Sequence, residues 1–143
     1  MLNMLNGRFG IEIEFTGITR DRAADIVAEH LNGRVYEGNR VKASDGRTWK
    51  ITHDASINCQ RKSRGTKVSA GREYACELVS PILTYENDID TIQELVRKLR
   101  NAGAFANNSC GIHIHLDGTP HTVKSIKNFI NIIASKTTSF TKP

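Results

Sequence analysis

Two segments of this 143-residue chain alternate apolar and titratable side chains, and this alternation constrains the fold more than any other feature. The first is RFGIEIEF at Arg8–Phe15, which places four apolar residues on one face and two glutamates on the other, because side chains in a strand point to opposite faces in turn. The second is SCGIHIHLDG at 109–118, which places three apolar residues on one face and two histidines on the other. Both segments predict a sheet that packs one face against a core and leaves titratable groups on the other.

The rest of the chain combines helical and strand patterns, which predicts an α+β fold. Thr19 and Thr122 precede apolar residues at helical spacing, so each is predicted to cap a helix. A third helix is predicted in ENDIDTIQELVRKLRNAG, because acidic residues at its start and basic residues at its end suit the helix dipole. Further strands are predicted at 34–37, 40–43, 48–53 and 73–80, with a hairpin turn at 44–46.

The length indicates a single domain, which we assign to residues 1–136, followed by a frayed polar tail at 137–143. The three cysteines are odd in number and form no CxxC pair, which argues against a disulfide framework and against a zinc knuckle. No apolar run reaches the ~20 residues that a membrane helix needs, and the N-terminus lacks the pattern of a signal peptide. We therefore expect a cytoplasmic protein without a membrane partner.

A net charge of +5 favours anionic partners. The excess is concentrated in RKSRGTKVSAGR at 61–72, which contains five basic residues and no acid. We predict that this segment is a solvated, mobile loop, and a loop that faces phosphate groups is the alternative. Because no aromatic residues are interleaved with the basic ones, a nucleic-acid partner is not expected.

Titratable residues on three strands suggest a metal site. They are Glu12 and Glu14 on the first strand, Glu77 in EYACELVS, and His113 and His115 on the last strand. Each pair alone is compatible with a solvated sheet face, but a half-buried glutamate needs a partner, and neighbouring carboxylates repel unless a cation lies between them. Carboxylate oxygens suit Mg²⁺ or Mn²⁺, whereas imidazoles shift the preference towards Mn²⁺ or Zn²⁺.

Four segments, in this order, carry a resemblance to a known family: FGIEIEF, WKITHDASI, ACELVSPIL and LRNAGAFANNSCGIHIHLDG. From about Arg8 to Lys136 the chain resembles the amidoligase family, which is similar to the carboxylate–amine ligases, a superfamily that includes glutamine synthetase and glutamate–cysteine ligase. The resemblance implies a curved, mainly antiparallel sheet with helices on its convex face, as in glutamine synthetase. It also implies that ATP and Mg²⁺, or Mn²⁺, bind on the concave face. The implied reaction joins small-molecule or peptide carboxylates to amines, forming an amide or isopeptide bond through an acyl phosphate.

The resemblance further implies roles for individual residues. The implied metal ligands are Glu12, Glu14, Glu77 and His113. The implied catalytic residues are Glu14, Glu77 and His113. The implied cofactor-binding residues are Glu12, His113, His115, and Asp54 and Ser56 of the D-x-S motif, which would line the cleft.

Members of the family continue beyond the point where this chain stops, so the resemblance covers the N-terminal half of the fold. A C-terminally truncated or inactive form is one interpretation, and a subunit completed by a second polypeptide is another. Truncation would leave an unpaired sheet edge. Two other functions remain open, namely a metal-dependent hydrolase, suggested by the HxH pattern, and a non-enzymatic binding module, suggested by the positive charge.

Overall fold

A computed structural model of the chain describes residues 7–140, and the side chains of residues 7–135. The described part has the predicted α+β fold, with a seven-stranded antiparallel sheet, a separate two-stranded hairpin and three α-helices. The strands are β1 (Arg8–Phe15), β2 (Arg34–Tyr36), β3 (Arg40–Lys42), β4 (Thr48–Thr52), β5 (Gln60–Ser63), β6 (Thr66–Ser69), β7 (Cys76–Val79), β8 (Leu83–Thr84) and β9 (Ile112–Leu116). The helices are α1 (Arg20–His30), α2 (Tyr85–Asn101) and α3 (Val123–Phe140).

The strand order places β1 in the centre of the sheet. The order runs β2-β3-β4-β7-β1, β8 pairs with the start of β1, and β9 pairs with β1 along its other edge. The apolar face of β1 packs against a core that includes Trp49, Leu78, Val27 of α1 and Leu95 of α2. Because side chains alternate, the glutamates of β1 lie on the face opposite α1 and α2.

Both predicted helix caps are confirmed. The Thr19 hydroxyl accepts a hydrogen bond from the backbone N–H of Arg22 at 3.3 Å. The Thr122 hydroxyl accepts one from the backbone N–H of Ser125 at 3.2 Å. Each hydroxyl thereby satisfies a backbone donor that has no partner within its own helix.

An ion pair between Arg47 and the buried Asp88 ties the β3–β4 turn to the first turn of α2. A guanidinium nitrogen of Arg47 lies 2.7 Å from Asp88 Oδ1, and a second one lies 2.8 Å from Asp45 Oδ2. Asp88 Oδ2 also accepts a hydrogen bond from the backbone N–H of Thr84 at 2.9 Å. Burial opposes ionisation of Asp88, but the hydrogen bonds from Arg47 and Thr84 outweigh it and lower the pKa of this carboxyl.

We expect Arg47→Met to lower the free energy of unfolding by about 2 kcal/mol at pH 7, because it leaves the buried Asp88 carboxylate without its cationic partner, which is itself partly exposed. Since the pKa of Asp88 is lower in the native state than in the unfolded chain, its contribution is present above the unfolded pKa and is lost as the pH falls through the native one. Urea unfolding of wild type and variant at pH 7 and pH 2 measures both free energies. The difference should shrink at pH 2, and an equal difference at both pH values would contradict this account.

Two predictions about local structure need correction. The strand predicted at 73–80 begins only at Cys76, because the preceding residues form a single-turn 3₁₀ helix, Arg72–Tyr74. The Arg20 guanidinium holds that turn by donating to the carbonyl oxygens of Arg72 and Ala75. The segment predicted as a mobile loop contains the β5–β6 hairpin. The backbone of α3 is helical as far as Phe140, and residues 141–143 lie outside the described residues, so the polar tail at 137–143 stays a prediction.

The prediction that all helices pack on one face of the sheet is wrong for α3. Apolar side chains of this helix are exposed, among them Ile126 at 45% and Phe129 at 48%. The face of β9 that continues the core side of the sheet is also exposed, with Ile112 at 63% and Ile114 at 62%. The apolar pattern predicts that α3 packs against another surface, but it does not determine which surface that is. None of the helices in residues 7–140 is long and apolar enough to cross a membrane.

Candidate metal centre

Two rows of side chains cross the face of the sheet opposite α1 and α2, and the strand register defines them. In the first row Glu14 of β1 lies opposite Glu77 of β7, which in turn lies opposite Thr52 of β4. In the second row Glu12 lies opposite His113 of β9. Directly opposed residues of antiparallel strands have Cβ atoms about 4.5–5.5 Å apart. The three strands therefore bring their titratable groups together on one face.

Two trios of side chains have the spacing that a metal ion requires. One contains Glu12, Glu77 and His113, the other contains Glu14, Asp54 and Glu77, and within each trio the ligand atoms lie within 4.8 Å of one another. Because metal–oxygen bonds are about 2.1–2.5 Å long, ligands of one ion lie up to about 4–5 Å apart. Each trio therefore fits a divalent cation, and Glu77 belongs to both.

Glu14 is the most buried carboxylate of the two trios, with 7% of the residue exposed. Its Oε2 accepts a hydrogen bond from the backbone N–H of Gly111 at 2.7 Å, and its own N–H donates to the Gly111 carbonyl at 3.0 Å. The Nε2 of His113, which is charged only if the ring is protonated, lies 3.8 Å from Glu14 Oε1. A buried carboxylate with one backbone donor has lone pairs left over, and these are available to a cation.

Glu12 contacts both histidines through the same oxygen. Its Oε2 lies 3.3 Å from His115 Nε2 and 3.1 Å from His113 Nδ1. Hydrogen bonds from His115 and then His113 lower the pKa of Glu12, and the hydrogen bond to Glu12 raises the pKa of His113. His113 thus belongs to a trio, whereas His115 belongs to neither and instead holds Glu12 in place.

Asp54 joins the second trio although the D-x-S motif had suggested only a place in the cleft. The backbone N–H of Ser56 donates to Asp54 Oδ1 at 2.7 Å, and hydrogen bonds from Ser56 lower the pKa of Asp54. Ser56 itself is exposed and orients the carboxylate. The position of Asp54 in the sequence could have indicated its place in the trio. It lies two residues after Thr52, which ends β4 opposite Glu77.

Two further residues on this face were not anticipated from the sequence. The Thr52 hydroxyl donates to Glu77 Oε2 at 2.8 Å and so orients the carboxylate that both trios share. Lys50 lies two residues earlier on the same face of β4, opposite Val79, which is itself opposite Glu12. An exposed cation therefore accompanies the carboxylates, which suits a face that receives an anionic ligand.

The fold and the site together define a class, namely an α+β domain whose open sheet face carries carboxylates and imidazoles at metal-ligand spacing. The sequence profile of the family described as "Putative amidoligase enzyme" matches residues 5–142, and the chain belongs to this family. Searches of curated proteins and of solved structures found no match. The resemblance seen in the four sequence segments is therefore confirmed at the level of the family.

Proposed function

We propose that the chain takes part in ATP- and Mg²⁺-dependent ligation of a carboxylate to an amine, forming an amide or isopeptide bond through an acyl phosphate. The observation that carries the proposal is the position of Glu77 in both trios, which could supply ligands to two divalent cations on one open face. Membership of the amidoligase family supports the coarser statement that the protein is a ligase.

Each of the two trios would bind one cation. Glu14, Asp54 and Glu77 would hold one cation, and Glu12, Glu77 and an imidazole nitrogen of His113 would hold the other. Bound there, Mg²⁺ or Mn²⁺ would neutralise charge between the β- and γ-phosphates of ATP during phosphoryl transfer. We assign catalytic roles to Glu14, Glu77 and His113, as the family resemblance implies, because each belongs to a trio that would hold a cation.

The architecture supports a fold like that of glutamine synthetase. The sheet is antiparallel, α1 and α2 cover one face, and the other face is open where a nucleotide would bind. The exposed apolar residues of β9 and α3 are compatible with a second polypeptide that completes the cleft. Such a partner would supply groups that select the carboxylate and amine substrates.

Calorimetric titration with a non-hydrolysable ATP analogue, with and without Mg²⁺, tests the proposal. We expect binding in the presence of Mg²⁺ and its loss when EDTA is added, because the carboxylates of the open face repel phosphate unless cations are present. Absence of binding in both conditions would overturn the proposal for this chain. Tightly bound Zn²⁺ on metal analysis would favour a hydrolase instead, and RNA binding that survives Glu14→Gln would favour a binding module.

A further inference from the structure

The basic β5–β6 hairpin is attached to the end of the strand that carries the metal-binding carboxylates. The buried hydroxyl of Thr16 accepts a hydrogen bond from the Gln60 N–H and donates one to the Gln60 carbonyl, both at 2.9 Å. Thr16 directly follows β1, so the hairpin has a defined position relative to Glu14. Next to Thr16, Gly17 has a φ of +98°, and a Cβ at this position would collide with the ring of Phe105.

Two lysines of this hairpin face each other without an acidic partner. Lys62 and Lys67 are register partners in the antiparallel pair. Their Nζ atoms lie 5.7 Å and 4.7 Å from the centre of the same Phe105 ring, within the range of a cation–π contact. No ion pair in residues 7–135 involves either lysine. Like charges directly opposite one another destabilise a strand pair, so the two ammonium groups would be stabilised by an anion.

Lys67 also borders a polar cavity of about 550 Å³. The walls are formed by Asn58, Gln60, Lys67, Ala106, Asn107 and Asn108. The amide nitrogen of Asn107 donates to the Asn58 carbonyl at 2.8 Å and to Gln60 Oε1 at 3.0 Å, which ties the two sides of the cavity together. Within the described part of the chain, the side-chain amides of Asn58 and Asn108 and the Nε2 of Gln60 have no hydrogen-bond partner, so their donors are available to a ligand.

The cavity and the second trio share their supporting loops. One loop runs from Asp54 to Asn58, and the other runs from Asn107 to Gly111, whose N–H donates to Glu14. The two loops are joined where the Asn58 N–H donates to the Ser109 hydroxyl at 2.8 Å. The cavity and the second trio are therefore carried by the same two joined loops.

We propose that this cavity binds an oxyanion, either a carboxylate or a phosphate group, with Lys67 as the charged contact and the amide side chains as hydrogen-bond donors. A cation beside neutral hydrogen-bond donors is a combination of groups that stabilises an oxyanion. The role of the site in orienting a substrate beside the metals rests on the proposed function, whereas oxyanion binding itself does not.

Amide chemical shifts of ¹⁵N-labelled protein, titrated in EDTA at constant ionic strength, test the site without its metals. Inorganic phosphate and glutarate serve as probes in separate titrations. We expect saturable shifts at Asn58, Lys67 and Asn107 with at least one probe. Lys67→Ala should weaken that binding about tenfold, because one charge-assisted contact is lost, while Lys67→Arg retains most of it.

The matched control is Lys98→Ala, which removes an exposed lysine from α2 and should leave the affinity unchanged. The absence of saturable shifts at Asn58, Lys67 and Asn107 with either probe would overturn the proposal. An affinity for the probe that Lys67→Ala leaves unaltered would also overturn it. If a non-hydrolysable ATP analogue with Mg²⁺ displaces the probe, the site receives a nucleotide phosphate; if both bind together, it receives a group of another substrate. Phosphate binding without nucleotide binding would reject the proposed function and retain the site.

Discussion

Replacing Glu77 with Gln is expected to lower the affinity of the protein for Mn²⁺ by about 100-fold or more at both trios, because the side chain is a member of each. The neutral amide retains an oxygen that can accept the hydrogen bond from Thr52, so local geometry is preserved. The number and affinity of bound Mn²⁺ ions, measured by electron paramagnetic resonance, should show loss at both sites. Binding of the ATP analogue with Mg²⁺ should be lost with them.

Asp54→Asn and Glu94→Gln provide the comparison for this variant. Asp54 belongs to one trio only, so Asp54→Asn should lower the affinity for one Mn²⁺ ion and leave the affinity for the other unchanged. Glu94 is exposed on α2, and its replacement removes the same charge without touching either trio. If Glu77→Gln lowered the affinity for only one Mn²⁺ ion, Glu77 would not be a ligand at both sites. If Glu94→Gln had the same effect, the loss would reflect net charge alone.

The largest expected effect on stability comes from Leu78→Ala, which should lower the free energy of unfolding by about 3–4 kcal/mol. Leu78 lies on β7 between Ile13 of β1 and Ile51 of β4, and it is completely buried. Truncation removes apolar contacts and leaves a cavity in the centre of the sheet, where the backbone cannot easily move to fill it. Urea unfolding, followed by circular dichroism, gives the free energy and shows whether the slope is unchanged.

Val79→Ala is the matched control for this prediction. Val79 is the next residue on the same strand, but it faces the open side of the sheet and is only partly buried. Its truncation should cost about 1 kcal/mol, because fewer apolar contacts are lost. Equal losses in the free energy of unfolding at the two positions would contradict the assignment of one core face and one open face to β7.

The strands that carry the site could be predicted because their signal is local. In β1 and β9 the alternation of side chains by itself separates an apolar face from a titratable one, and the structure has both strands. The caps at Thr19 and Thr122 were predictable for the same reason, because a hydroxyl before an apolar stripe is a short-range pattern. The family was recognisable from four such segments in order.

The β5–β6 hairpin could not be predicted from the segment 61–72, because both of its faces are largely polar and no apolar alternation marks its strands. Its position depends on hydrogen bonds between Thr16 and Gln60, which are 44 residues apart. The predicted start of β7 differs from the observed start for a similar reason. Arg20 holds the preceding 3₁₀ turn from a distance of 52 residues along the chain.

The sequence by itself therefore determined which side chains share a face of each strand, because that depends only on a period of two residues. It also determined the family and the types of group available for a metal. Only the tertiary structure decided that Glu77 lies in both trios, that Asp54 joins one of them, and that Lys62 and Lys67 share one aromatic ring. These relations depend on strand order and register, which are set by contacts between distant segments of the chain.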